Sequence, residues 1–218
     1  MRIDKDSYGT LAVVYCVSLT VIALMCFAVH NAWISWPVCL LFLWFMGWQT
    51  FFFRLPRRNP AGNAKKVSSV ADGKVVIIEK VYEPECLKKE CIQISVYMDF
   101  WNVHANYWPI DGEVTYYKYH PGKHLLAFKP KASEENEHSC ICVRNSDGQD
   151  VFFKQLAGTF ARRIVSYATP GLKTDAGLQC GIIKFGSRID MYLPLDSKIC
   201  VSLGQEVRAC ETILAELS

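Results

Sequence analysis

The sequence has no basic stripe. Its formal net charge is +3 over 218 residues, and a nucleic-acid-binding domain needs a continuous positive face along which phosphates lie. That function class is excluded. Paired C-x-x-C motifs are also missing. Ten cysteines are present, but Cys86 with Cys91 and Cys140 with Cys142 do not have the spacing of a paired zinc-binding set. Cys16, Cys26 and Cys39 lie inside apolar runs. The cysteines therefore read as free thiols acting as small apolar side chains in a reducing compartment, and no metal is expected. Charge is absent from Thr10 to Val29, a run of 20 residues, and from Trp33 to Phe53, a run of 21. A cleaved signal peptide would carry a shorter apolar region ending at small residues, which argues against that reading.

What those two runs do have is length. About 20 apolar residues cross a bilayer as helix, and His30-Asn31-Ala32 between the runs suffices for a turn. Trp33, Trp36, Trp44 and Trp48 supply interfacial anchors. Arg2 and Lys5 precede the pair, and Arg54, Arg57 and Arg58 follow it. Basic residues at both outer ends place both termini on the cytoplasmic side, where Lys65 and Lys66 would also meet anionic head groups. The expectation is a membrane hairpin with a basic exit over 1–56, followed by a domain over 57–218. A hairpin held shallowly in one leaflet is the alternative.

The remainder reads as strands. After a linker over Arg58–Ser68, the candidates are Lys74–Val81, Ile92–Met98, Glu113–Tyr119, Leu125–Phe128, Ser139–Val143, Val151–Phe153, Ile182–Phe185, Ile189–Leu193 and Ile199–Leu203. Gln155–Tyr167 reads as the one main helix, because Leu156, Phe160, Ile164 and Tyr167 recur at three and four residues. Glycine-containing turns at Asp72-Gly73, Asp111-Gly112 and Gly204-Gln205 each precede a strand. They are similar to the hairpins of lipoyl- and biotinyl-carrier sandwiches, although the carrier lysine is missing. The expected fold is α+β and β-rich, with antiparallel sheets or a sandwich, one main helix and a preceding two-helix membrane hairpin.

Gly186-Ser187 falls between two strand-like runs in Gly181–Pro194. The ordinary reading is a strand bulge. The other is chemical. Glycine leaves the carbonyl before the serine sterically open, and a hydroxyl held over that carbonyl can exchange the amide for an ester. Three further stretches also have ordinary readings: Asp72-Gly73 as a turn, His104 in Asn102-Val103-His104 as a structural histidine, and His120 in Tyr119-His120-Pro121-Gly122-Lys123 as a turn residue. Lys184 and Arg188 read as solvated charges at strand ends.

Taken in order, these stretches resemble the phosphatidylserine decarboxylases, in their short membrane-anchored bacterial form. Carrying the resemblance are Phe52-Phe53-Arg54-Leu55-Pro56-Arg57, Ala71-Asp72-Gly73-Lys74-Val75-Val76, Asn102-Val103-His104, Tyr119-His120-Pro121-Gly122-Lys123, Ser133-Glu134-Glu135-Asn136-Glu137, Gln155-Leu156-Ala157-Gly158 with Ala161-Arg162-Arg163-Ile164-Val165, and above all Phe185-Gly186-Ser187-Arg188 with Asp190 and Tyr192-Leu193-Pro194. The resemblance implies a pyruvoyl-dependent lyase of phospholipid biosynthesis, made as a zymogen. Self-cleavage at Gly186-Ser187 would give a β chain, 1–186, and an α chain, 187–218, held as a heterodimer. The pyruvoyl group formed from Ser187 would make a Schiff base with phosphatidylserine, and phosphatidylethanolamine would be released. A homo-oligomer is compatible with this reading. Localisation at the bacterial cell membrane, with the catalytic domain on the cytoplasmic side, follows.

By family position the resemblance implies Asp72 as a proton acceptor and His104 as the acid that returns a proton to the substrate. Lys184, Arg188 and His120 are substrate-binding candidates. Longer members carry His-x-x-His where this chain has His104-Ala105-Asn106-Tyr107, which opens the identity of the self-cleavage base. Asp72 alone, or Asp72 with His120, is the expectation there. The alternatives are a decarboxylase of a related seryl lipid, such as the archaeal-type ether lipid, and a non-catalytic membrane-tethered β-sandwich.

Overall fold

The computed structural model describes residues 2–123, 135–158, 163–184 and 187–218. The chain divides into two compact units, Met1–Arg57 and Arg58–Ser218. The first holds α1 (Tyr8–Ala28) and α2 (Ala32–Phe52), with β1 (Arg2–Ile3) paired to β2 (Arg54–Leu55). Each helix has 21 residues, about 31 Å at 1.5 Å per residue, enough to cross an apolar bilayer core. Asn31 caps α2 by accepting the Trp33 N–H at 3.0 Å, so a polar residue ends one apolar run and starts the next. Tyr15 and Thr50 share a hydrogen bond between the two helices.

The second unit is built of strands. In chain order these are β3 (Lys66–Ser68), β4 (Gly73–Glu83), β5 (Lys89–Met98), β6 (Ala105–Tyr107), β7 (Gly112–His120), β8 (His138–Arg144), β9 (Asp150–Ala157), β10 (Arg163–Ser166), β11 (Lys173–Thr174), β12 (Gln179–Lys184), β13 (Ser187–Leu193), β14 (Lys198–Ile199), β15 (Glu206–Val207) and β16 (Ile213–Glu216). Eight of them form one curled antiparallel sheet in the order β11-β7-β8-β9-β13-β5-β4-β15. Two three-stranded sheets, β10-β12-β6 and β14-β16-β3, complete the unit.

Alternation along β13 explains how the sheet is covered. Ile189, Met191 and Leu193 join the main core with Val75, Ile94, Val96, Met98, Ile141, Phe153, Ile183 and Leu214. Each fully buried side chain of this kind contributes about 1.5–3 kcal/mol. Tyr192 faces the other way, into a smaller cluster with Cys91, Cys140, Cys142 and Phe152. The cysteines of the described residues are free thiols, as their composition suggested.

The three glycine turns do open strands, at β4, β7 and β15. The helix expected over Gln155–Tyr167 is corrected: Gln155–Ala157 end β9 and Arg163–Ser166 form β10. Pairing overrides the local periodicity there, since Gln155, Leu156 and Ala157 lie opposite Ile189, Arg188 and Ser187. The stretch expected to be a strand from Leu125 to Phe128 lies outside the described residues, as do Phe160, Phe185 and Gly186. Ile199–Leu203 keeps strand structure only at its first residue, in β14.

Candidate active site

One end of the large sheet gathers the residues of interest. Ser187 opens β13 and lies between Met98, the last residue of β5, and Ala157, the last residue of β9. One position along, Lys74, Tyr97 and Arg188 are in register across β4, β5 and β13. Asp72-Gly73 therefore enters β4 at the same sheet end as Ser187, two strands away, or roughly 10 Å at the usual strand spacing. Glycine is needed at 73, because a Cβ there would sit 2.2 Å from the Tyr97 carbonyl oxygen.

Asp72 is held on both oxygens. Oδ2 accepts from Arg58 Nη2 at 2.5 Å, and Oδ1 accepts the Ala209 N–H at 2.8 Å. Arg58 also pairs with Glu211 at 3.5 Å. The aspartate lines a cleft of about 510 Å³ with Lys74, Tyr97, Asp99 and Asn102.

His104 reaches this end from the other layer. It is fully buried just before β6. Its carbonyl accepts the Ile183 N–H at 3.2 Å, which ties it to β12 four residues before Ser187. Its Nδ1 lies 3.2 Å from the Asn102 carbonyl. A carbonyl only accepts, so Nδ1 carries the proton and Nε2 is the basic atom of the neutral ring. Ser187 is fully buried, with Oγ 3.7 Å from Met98 Sδ.

On the same face as Ser187, Gln155 links two other polar groups. It donates from Nε2 to Asn106 Oδ1 at 2.8 Å and accepts from Ser139 Oγ at 2.7 Å. Tyr107, three residues after His104, is buried. Burial pushes its hydroxyl well above the ordinary range, so it stays protonated at neutral pH and cannot serve as a base.

The three residues expected to bind substrate are Arg188, Lys184 and His120. Arg188 is fully buried and pairs with fully buried Asp190, Nε to Oδ1 at 2.7 Å and Nη2 to Oδ2 at 3.0 Å. Ser95 donates to Asp190 at 2.6 Å, and Gln93 donates to Ser95 at 2.9 Å. Strand alternation turns Arg188 to the face opposite Ser187, so it is a structural ion pair and not a solvated strand end. Lys184 is also buried, at the end of β12 opposite Arg163.

His120 is not brought to Ser187. The row His120, His138, Leu156, Arg188 runs across β7, β8, β9 and β13 on the far face, which puts His120 about 14 Å from β13. Its Nε2 contacts Glu85 Oε1 at 2.6 Å. Burial raises the Glu85 carboxyl, but hydrogen bonds from His120, Tyr116 and Cys140 outweigh it and bring the pKa to about 2.

Sequence reasoning missed Arg58 as the partner of Asp72, because a basic residue beside an apolar run reads first as a membrane flank. It also missed Gln155, which was assigned to a helix. A glutamine at an inward position of an apolar strand was the available signal.

Comparison with known proteins points to one family. The family model for phosphatidylserine decarboxylase matches residues 45–215. A phosphatidylserine decarboxylase proenzyme of Parabacteroides distasonis is 38% identical over 223 aligned positions covering 100% of both chains. One from Amoebophilus asiaticus is 46% identical over 171 residues, 78% of this chain and 76% of its own. One from Prosthecochloris aestuarii is 39% identical over 210 residues, 96% of each.

Proposed function

This chain belongs to the phosphatidylserine decarboxylase family, a family of carboxy-lyases, and on that premise we propose that it cuts itself between Gly186 and Ser187 and then decarboxylates phosphatidylserine to phosphatidylethanolamine. The observation that carries the reading is the row that sets Ser187 at the start of β13, with Asp72 entering the same sheet end and His104 tied to Ile183.

Asp72, at the same sheet end but two strands away, takes up through bridging water the proton that Ser187 Oγ loses as it attacks the Gly186 carbonyl. The peptide C–N bond breaks and an ester forms. Loss of the Ser187 Cα proton then expels residues 1–186 as a carboxylate. The dehydroalanine left on residue 187 takes up water and loses ammonia, giving a pyruvoyl cap on 187–218. Arg58 and the Ala209 amide hold the Asp72 carboxylate in place through these steps.

The residues present fit that group. Residue 187 is buried between Met98 and the small Ala157, a site from which bulk water is excluded. The chemistry supplied at this position would be that of a pyruvoyl ketone, an electrophile for the substrate amine and an electron sink for decarboxylation. His104, once Nε2 has taken up a proton, delivers it to the substrate α-carbon in place of the lost carboxyl.

The two chains stay together without a covalent link. β13 belongs to the 187–218 chain and is hydrogen-bonded on both sides, to β9 and β5 of the 1–186 chain. The two apolar helices tether the enzyme to the bilayer that holds its substrate, and the basic residues at both outer ends favour a cytoplasmic catalytic unit.

A denaturing gel with intact-mass analysis should show two chains ending and starting at 186 and 187, the smaller one blocked to Edman degradation. Ser187→Ala should leave one chain and release no carbon dioxide from phosphatidylserine vesicles. A wild-type protein that remains a single chain and still decarboxylates would overturn the self-cleavage reading.

A further inference from the structure

We propose that Glu85, His120, His138 and Cys140 form a binding site for a divalent cation of the zinc class, on the face of the large sheet opposite Ser187. One donor atom from each of the four lies within 4.8 Å of every other. The register brings them together: His120 on β7 is paired with His138 on β8, and Cys140, two residues further, shares its face. Glu85 comes from the turn between β4 and β5. That turn is fixed by Glu83, whose carboxylate accepts the backbone N–H groups of Glu85, Cys86 and Leu87 at 2.9, 2.8 and 2.7 Å.

The surroundings are those of a ligand shell. His138 Nδ1 donates to the Asn136 carbonyl at 2.6 Å, which leaves Nε2 as its coordinating atom and fixes the ring. Zinc-bound histidines are held in this way. Tyr116 donates to Glu85 Oε1 at 2.9 Å. Two edges of the cluster, 2.6 Å from His120 Nε2 to Glu85 Oε1 and 3.3 Å from Cys140 Sγ to Glu85 Oε2, are shorter than the roughly 3.5 Å edge that tetrahedral zinc imposes with bonds of about 2.0–2.3 Å, so the half-buried His120 and Glu85 would move apart as the cation enters. One thiolate, two imidazoles and one carboxylate select zinc or its neighbours over magnesium or calcium.

Binding would displace the Cys140 thiol proton to solvent, and His120 would turn from donating its Nε2 proton to Glu85 to coordinating through Nε2. Lys118, 3.8 Å from Glu85 and more than half exposed, can swing away as the cation enters. His138 and Cys140 form a buried floor, and half-buried Glu85 and His120 form the mouth. The ion would fasten the β4–β5 turn to β7 and β8. Its role is structural, since it lies on the far face from the row that carries Ser187.

Metal analysis of the full chain, purified in detergent without chelators, should find about one zinc per chain by the four-ligand closed-site rule. Cys140→Ser and His120→Ala should each weaken Zn²⁺ affinity by more than about 100-fold, and Tyr116→Phe by about 10-fold. The Co²⁺-loaded protein should show a thiolate charge-transfer band that Cys140→Ser removes. If Cys140→Ser fails to fold, the more accessible His120→Ala and Glu85→Gln carry the test. No metal as isolated together with no uptake of added Zn²⁺ would overturn the proposal. So would occupancy that survives both His120→Ala and Glu85→Gln.

Discussion

The two faces of the large sheet carry opposite kinds of polar chemistry. Inward, around Ser187, Gln155, Asn106 and Ser139 share neutral hydrogen bonds within an apolar core. Outward stand Arg188 with Asp190, on the same strand as Ser187, and Glu85 of the β4–β5 turn with His120, each in an ion pair. Charges that look reactive in the sequence are therefore neutralised where no reaction is proposed. The face that holds Ser187 keeps its charge at the sheet end, in Asp72 and its Arg58. A single-residue step along a strand separates the two regimes, and substitution on each face should produce a different kind of loss.

The largest effect should come at the inward end. Asp72→Asn keeps the shape and removes the base, so self-cleavage should slow by about 10²–10⁴-fold. Time-resolved gels of freshly synthesised precursor would measure it, and cleavage at the wild-type rate would move the base elsewhere. Outward, Arg188→Met should cost about 3–5 kcal/mol, because Asp190 is left buried without its guanidinium. Arg188→Met with Asp190→Leu should recover most of that, since an apolar pair of similar volume replaces a buried ion pair at little cost. Thermal unfolding of the full chain reads both. The surviving enzyme should keep its KM for phosphatidylserine, and a raised KM at normal stability would break the contrast between the faces. Next in size is Gln155→Leu, which strands Ser139 and Asn106 and should cost about 1–3 kcal/mol for each group left without a partner.

Much of this was legible in the sequence, and the exceptions have a common physical cause. Strands such as Gly73–Glu83 and Ser187–Leu193 declare themselves by alternating β-branched and polar residues. The apolar helices declare themselves by length and missing charge. Gln155–Tyr167 failed because spacing at three and four residues over a short run is shared by a helix and by two strand ends. Its decisive neighbours, Ser187 and Arg188, are some thirty residues away on the chain and come only with the register. The same holds for Glu85, His120, His138 and Cys140. A search for local C-x-x-C spacing could not assemble them, because the β7–β8 register and the β4–β5 turn do so. The alternation Ser187, Ile189, Met191 against Arg188, Asp190, Tyr192 was present in the sequence. Read strictly, it already turns Arg188 away from Ser187.

The smallest predicted effect sharpens the contrast most. Tyr107 stands three residues after His104, and Arg58 and Asp72 act electrostatically on its hydroxyl. If the hydroxyl took the serine proton, it would have to ionise first. Burial drives it the other way, and Arg58, the opposing cation, is already committed to Asp72 at 2.5 Å. Tyr107→Phe retains the ring and its packing and removes the only atom able to exchange a proton. Precursor carrying it should cleave at the wild-type rate and with the same pH profile. A slowed variant would give the proton transfer to two residues, Tyr107 and Asp72, and would place a second polar participant at the sheet end where the present structure supports one.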